Sequence, residues 1–74
     1  MELEFYCIGP VKVEFNLNTL IATFTAPKQN LLSLFNIVEY IYADLILMKG
    51  EYWESHKNDE YFITTKTLPY FIKI

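Results

Sequence analysis

The side chains best suited to acid–base or nucleophilic chemistry in this sequence of 74 residues are its single histidine, His56, and its single cysteine, Cys7. Glu54 and Asp59 lie near His56 in the sequence, but no motif connects this histidine to a nucleophile, so we expect an exposed loop histidine. Cys7 shares one face of a predicted strand with Leu3 and Phe5, which favours a buried and inert thiol. These residues do not predict an enzyme.

Cofactor and metal sites need residues that the sequence lacks or contains only once. Gly9 and Gly50 are the only glycines, so no glycine-rich loop is available to hold a phosphate. One histidine and one cysteine cannot complete a structural zinc site, and a single cysteine cannot form a disulfide within the chain. We therefore expect neither a cofactor nor a metal ion.

The charge of the chain is concentrated in its middle. Nine acidic residues against six lysines give a net charge of −3, and residues 39–60 alone hold six acids against two lysines, a net charge of −4. No segment forms the basic patch that phosphate binding requires, so we expect no direct contact with nucleic acid. The acidic segment suits either a basic protein surface or a solvated loop. Its acids, which are candidate partner-binding residues, are Glu39, Asp44, Glu51, Glu54, Asp59 and Glu60.

Aromatic residues accompany the acids. Six tyrosines, six phenylalanines and one tryptophan exceed what the core of so short a chain is expected to hold. Tyrosine and tryptophan are frequent anchors of protein interfaces, although they can also cover the open end of a core. Because Tyr52 and Trp53 lie among the acids, we include them in the candidate partner-binding set.

Hydrophobic alternation over the first 26 residues predicts a three-stranded antiparallel meander. Gly9-Pro10 is a turn signal between the first two strands. A third alternating segment runs from Leu20 to Ala26. The residues expected on the apolar faces of the first two strands are Leu3, Phe5 and Cys7, followed by Val11, Val13, Phe15 and Leu17.

The period of the apolar residues changes at Leu31. Apolar residues at positions 31, 34, 35, 38, 41, 42, 45 and 48 have the spacing of a helix. We expect the helix to begin between Thr25 and Asn30, either of which could cap it, and to end at Lys49 followed by Gly50.

The predicted helix has a second apolar face, formed by Leu32, Ile37, Tyr40 and Leu47. Soluble monomers rarely expose such a patch, and domains below about 80 residues commonly need a partner chain for stability. We therefore predict a homodimer in which these four residues form the interface.

After the helix, residues 51–60 form a predicted polar connection, and residues 61–74 a bent strand or a hairpin. Tyr70, Ile72 and Ile74 share one face of that segment, and Pro69 confines it to an edge or a bend. Residues 1–74 are thus predicted to form one α+β domain in the order β-β-β-α-β(β), with a small antiparallel sheet packed on one long helix.

The segment LLSLF, residues 31–35, matches four positions of the pentapeptide Gln-Leu-Ser/Asp-Leu-Phe, through which bacterial proteins dock on the DNA sliding clamp. A docking peptide must be accessible, whereas Leu31, Leu34 and Phe35 fall on the main apolar stripe of the predicted helix. Truncating such residues to alanine typically costs about 2–5 kcal/mol. We interpret LLSLF as part of the core, with docking as the alternative.

Three stretches carry a resemblance to a known family: MELEFYCIGPVKVEF, QNLLSLFNIVEYIYADLI and GEYWESHKNDEYF. Together with the length and the arginine-free acidic composition, they resemble the small inhibitors of the bacterial sliding clamp that staphylococcal phages encode. The resemblance implies a host-takeover protein that binds the β sliding clamp, the β subunit of DNA polymerase III. Such a protein occupies the DNA channel as an acidic, DNA-mimicking dimer, blocks clamp loading and arrests host DNA replication.

Two other functions stay open beside the resemblance. One is a clamp binder that places LLSLF in the peptide pocket of the clamp. The other is an unrelated small phage protein, such as an inhibitor of a CRISPR or restriction nuclease, or a purely structural dimer.

The expected location is the host cytoplasm. The opening MELEFYCIGP has acids where a signal peptide needs lysine or arginine. The longest apolar stretch, residues 31–48, is interrupted by polar residues and does not predict a membrane span.

Overall fold

The computed structural model describes residues 3–42 and 52–69. They form a five-stranded antiparallel sheet with one α-helix packed on it, which confirms the predicted α+β class and antiparallel sheet. Two strands follow the helix, where the prediction β-β-β-α-β(β) leaves the second one open. The elements are β1 (Leu3–Ile8), β2 (Val11–Asn16), β3 (Ile21–Pro27), a 3-10 turn (Lys28–Asn30), α1 (Leu31–Tyr42), β4 (Tyr52–Lys57) and β5 (Glu60–Thr65). Within the described ranges, no helix is long and apolar enough to cross a membrane.

Turn residues connect the first three strands as the sequence predicts. Gly9 has φ = 57°, a left-handed conformation that glycine adopts without strain, and it joins β1 to β2. Between β2 and β3, the side-chain oxygen of Asn16 accepts hydrogen bonds from the backbone N–H groups of Asn18 and Thr19 at 3.0 and 3.1 Å. The N–H of Leu20 donates to the carbonyl oxygen of Asn16 at 2.8 Å, which closes the turn.

The core lies between α1 and the centre of the sheet. Alternate residues of β2 and β3 are buried, and α1 crosses these two strands. Leu34 and Val38 of α1 are completely buried there. Aromatic contacts extend through the core. The ring centroid of Phe24 lies 6.3 Å from that of Phe15 and 6.1 Å from that of Tyr42, and both pairs are edge to face. This burial confirms the predicted apolar faces of β2 and of the first three turns of the helix.

The last two strands return to the sheet in reversed order, so that the strands lie as β1-β2-β3-β5-β4. Strand β5 pairs with β3, with Phe24 opposite Ile63, and β4 occupies the edge. Ile63 is buried because it extends the core face of the sheet by one strand. Both β1 and β4 are therefore edge strands.

Tyr42 connects α1 to β5 through buried hydrogen bonds. Its hydroxyl oxygen lies 2.9 Å from Oγ1 of Thr65 and donates to the carbonyl oxygen of Thr67 at 2.7 Å. Thr65 Oγ1 lies 2.9 Å from the same carbonyl oxygen and has one hydrogen, which it donates either to that carbonyl or to the Tyr42 hydroxyl. Burial raises the pKa of Tyr42 to about 12, and the hydrogen bond with Thr65 offsets part of this effect. The neutral phenol thus holds the described end of α1 against the sheet.

The core face predicted for β1 is wrong. Leu3, Phe5 and Cys7 do share one face, but Phe5 is 66% exposed and Cys7 is exposed, so the thiol is not buried. The pairing register decides this: Tyr6 lies opposite Val13, which is buried, and its ring packs 5.6 Å from that of Phe15. Because paired residues share a face, Glu4, Tyr6 and Ile8 lie on the core side of β1.

The predicted polar connection is also wrong in its secondary structure. Most of residues 51–60 form β4 and a two-residue turn that leads into β5, so His56 lies in a strand and not in a loop, although it is exposed as expected. The predicted end of the helix at Lys49 and Gly50, and the predicted face formed by Tyr70, Ile72 and Ile74, lie outside the described residues.

Candidate functional site

The predicted partner-binding residues of β4 do not all lie together, because they are on opposite faces of the sheet. Strand β4 alternates, so Tyr52 and Glu54 lie on the side of the sheet that α1 covers, together with His56. Trp53 points to the opposite side, which we call the open face, and is 44% exposed there. Tyr52 and Trp53 therefore do not form one aromatic anchor beside the acids.

The turn between β4 and β5 places two more predicted acids at one end of the sheet. Asn58 and Asp59 both have positive φ, 51° and 63°, as a two-residue hairpin turn requires. The N–H of Lys28 donates to the carbonyl oxygen of Asp59 at 2.7 Å, so the turn is tied to the connection that precedes α1. Glu60 pairs with Lys57 across the hairpin. These acids thus lie among lysines and form no purely acidic patch.

Charges separate between the two sides of the sheet. Among the described residues of the five strands and α1, the side that carries α1 holds three carboxylates and no lysine, while the exposed Lys28 lies in the 3-10 turn just before α1. These carboxylates are Glu4 on β1, Glu39 on α1 and Glu54 on β4. The open face holds four charged residues that balance: Lys12, Glu14, Lys57 and Glu60. Register, and not the order of residues in the chain, produces this separation.

Residues at the edges of the acidic side are held by local contacts. The hydroxyl of Tyr6 donates to Oε1 of Glu4 at 2.6 Å, and this hydrogen bond raises the pKa of Tyr6. At the other edge, the ring of His56 lies 5.6 Å from that of Tyr61 in the neighbouring strand. Glu39 is partly buried on α1. Asp44 and Glu51, the other predicted acids, lie outside the described residues.

The predicted dimer interface is exposed only in part within the described helix. Leu32 and Tyr40 are 74% and 86% exposed and lie eight residues apart on one stripe of α1. Ile37 is partly buried and packs against the core of its own chain. Leu47 lies outside the described residues. The described part of α1 therefore offers two large apolar side chains for contact.

The open face forms a second exposed surface, which the pattern of the sequence does not predict. Two rows of paired residues cross all five strands of the sheet. The first row comprises Phe5, Glu14, Thr23, Thr64 and Trp53, and the second comprises Cys7, Lys12, Thr25, Phe62 and Ser55. Among the described residues, α1 packs only on the other side. The exposed Phe5 and Trp53 lie at opposite ends of the first row.

The segment LLSLF belongs to the core, as predicted. Leu34 is completely buried, and Leu31 and Phe35 are partly buried against the core cluster. Leu32 is the member of the segment that projects into solvent. A clamp pocket cannot take Leu34 and Phe35 unless α1 leaves the sheet.

Among the described residues, no three histidine, cysteine, aspartate or glutamate side chains are grouped in a way that could hold a metal ion. No family model matches the chain, and neither the curated proteins nor the solved structures include a match to it.

Proposed function

We propose that this chain is a phage host-takeover protein that binds the β sliding clamp of the host DNA polymerase III. In this proposal, two copies occupy the DNA channel as an acidic mimic of DNA and block clamp loading in the host cytoplasm. The chain acts by binding and catalyses no reaction. The observation that carries the proposal is the side of the sheet with α1, where the described strands and helix bear carboxylates and no lysine.

Electrostatic complementarity explains how such a surface finds its partner. A sliding clamp surrounds a phosphate backbone, so its channel is lined with lysine and arginine. Carboxylates on a rigid sheet and helix meet that lining with opposite charge, which speeds encounter and fixes orientation more than it raises affinity. Glu39 and Glu54 are the acids from the predicted set that lie on this side. The other acids of the set, Asp44, Glu51, Asp59 and Glu60, add charge to the same chain.

Two copies double the number of carboxylates that a ring-shaped partner meets. A chain of 74 residues also gains stability from burying surface against a second copy. Leu32 and Tyr40 are the predicted interface residues that α1 exposes, so association through the helix stays a prediction. The proposal requires two copies but does not require that the helix joins them.

The alternative clamp binder, which uses LLSLF in the peptide pocket, is less compatible with the burial of Leu34. A fluorescent docking peptide separates the two modes on the purified clamp. Full displacement of the peptide by this protein indicates the pocket, whereas binding without displacement indicates the channel. An inhibitor of a CRISPR or restriction nuclease, or a structural dimer, predicts no clamp binding at all.

The decisive experiment measures clamp loading onto primed DNA with increasing amounts of the purified protein. We expect loading to be blocked at stoichiometric amounts. The double variant Glu39→Gln/Glu54→Gln removes two carboxylates from the acidic side and should weaken clamp binding by about tenfold or more. Glu60→Gln removes one carboxylate from the same hairpin but from the open face, and it should weaken binding by much less than either single change, Glu39→Gln or Glu54→Gln.

Undisturbed clamp loading at saturating protein would end the proposal. If Glu60→Gln cost about half as much binding free energy as the double variant, the loss per carboxylate would be the same on both sides of the sheet, and the acidic side would have no special role.

A further inference from the structure

The open face has the charge pattern of a surface that binds a copy of itself. Lys12 and Glu14 lie next to each other on β2, one in each row, and Lys57 and Glu60 balance each other at the end of the sheet. A strongly basic partner such as the clamp channel gains nothing from a face whose charges cancel. Phe5 and Trp53 on the same face are exposed to solvent, so burying them against a partner is favourable.

The open face is large enough for a stable dimer. Five strands about 4.8 Å apart, with six residues of about 3.3 Å each, give a face of roughly 24 by 20 Å, or about 480 Å². Two such faces remove about 960 Å² even as flat projections, and specific interfaces begin near 1,000 Å². The side chains stand out from the plane, so the accessible area that is buried is larger still.

The outer stripe of α1 is much smaller by the same measure. From Leu32 to Tyr40 the helix rises about 12 Å and is about 10 Å across, which gives about 120 Å² for each copy. The described part of α1 therefore falls well below the area that a lone interface needs.

One two-fold axis makes the open face complementary to itself. Let the axis lie between the two rows, parallel to the sheet and perpendicular to the strands. The first row of one copy then faces the second row of the other, because the rotation reverses the strand direction. Lys12 of each copy faces Glu14 of the other, and Phe5 faces Cys7 in the same way. Such a contact is isologous and closed, and sheets stacked in this way typically cross at about 30°.

We propose that two copies of this chain associate through their open faces, in an antiparallel sheet-on-sheet stack about that axis. The inference rests on the two-copy form of the proposed function and assigns the contact surface. Trp53 then belongs to the contact between copies. The acidic sides of both copies, with Glu39 and Glu54, face outwards.

The test is a charge swap on β2, measured by sedimentation over a dilution series of the full chain. Lys12→Glu and Glu14→Lys should each raise the dimer dissociation constant by about tenfold or more, because each places like charges opposite one another. The double swap Lys12→Glu/Glu14→Lys should return to within about threefold of the parent value. Circular dichroism and thermal unfolding establish that each variant is folded.

A second pair of variants compares the two candidate surfaces. Phe5→Glu, at an exposed position of the open face, should dissociate the dimer, whereas Leu32→Glu on α1 should not. A parent that stays monomeric at tens of micromolar, a double swap that fails to restore association, or dissociation by Leu32→Glu alone would overturn the inference.

Clamp binding by the same variants separates this inference from the proposed function. If the charge swap behaves as described but the parent does not bind the clamp, the proposed function fails and the dimer stands. If the parent blocks clamp loading but the charge swaps leave the dimer dissociation constant unchanged, the proposed function stands and the contact between the copies lies on another surface.

Discussion

The two leucines of the LLSLF segment provide the sharpest test of the fold, because they have the same chemistry and opposite burial. Leu34 is completely buried between α1 and the sheet, and Leu32 is 74% exposed. Leu34→Ala removes three carbon groups, worth about 2.4 kcal/mol at about 0.8 kcal/mol each. A residual cavity of roughly 40 Å³ adds about 1 kcal/mol. We expect a total loss of about 3.5 kcal/mol.

That loss is a large share of the stability of a small domain. At about 0.05–0.15 kcal/mol per residue, a chain of 74 residues has a free energy of unfolding of about 4–11 kcal/mol. For a domain of this size, a loss of 3.5 kcal/mol lowers Tm by about 14–28 °C. Leu32→Ala should change the free energy of unfolding by less than about 0.5 kcal/mol.

Urea and thermal denaturation followed by far-ultraviolet circular dichroism measure both variants against the parent. The protein concentration must be the same for all three, since association adds to apparent stability. The placement of α1 would be refuted if Leu34→Ala cost less than about 1 kcal/mol, or if Leu32→Ala proved the more damaging change.

Three further changes test other parts of the fold. Tyr42→Phe removes the hydroxyl that bonds to Thr65 and to the carbonyl oxygen of Thr67, and should cost about 1–2 kcal/mol in urea denaturation; little or no loss would argue against this contact. Because burial raises the pKa of Tyr42 to about 12 and the unfolded phenol titrates near 10, the folded state binds the proton more tightly. Its contribution to stability is complete below pH 10 and falls as the pH rises towards 12, a decline that Tyr42→Phe should reduce when both proteins are titrated in parallel. Gly9→Ala should cost about 1 kcal/mol through backbone strain alone, since φ is 57° and no atom lies within 4 Å of the added carbon; an unchanged midpoint of denaturation would contradict the turn geometry. Asp59→Gly should raise the melting temperature, because glycine adopts the positive φ of this turn position more readily than aspartate, and a lower value would contradict that.

Periodicity predicted those elements in which one face is apolar and the other is not. Val13 and Phe15 alternate with polar residues in β2, and Leu34 and Val38 have helical spacing, so burial follows directly from the pattern. In β1 both faces contain apolar residues, and alternation alone could not decide which face lies towards the core. The pairing of Tyr6 with Val13 decided it.

Strand β4 escaped prediction because it is an edge strand whose residues are mostly exposed. Its sequence, YWESHK, shows no apolar face, so only pairing with β5 reveals it as a strand. The grouping of the candidate site residues also could not be predicted from their order in the chain. Glu54 and Trp53 are neighbours in sequence, but the pleat of the strand places them on opposite sides of the sheet.

The sequence by itself determined the α+β class, the core face of β2 and the core stripe of α1, since these depend on local spacing. The tertiary structure alone decided which face of β1 lies on the core side, that β5 lies between β3 and β4, and that carboxylates and balanced charges lie on opposite sides of the sheet. The physical reason is that strand pairing joins residues far apart in the chain. A shift of register by one residue would transfer every side chain of a strand to the other face.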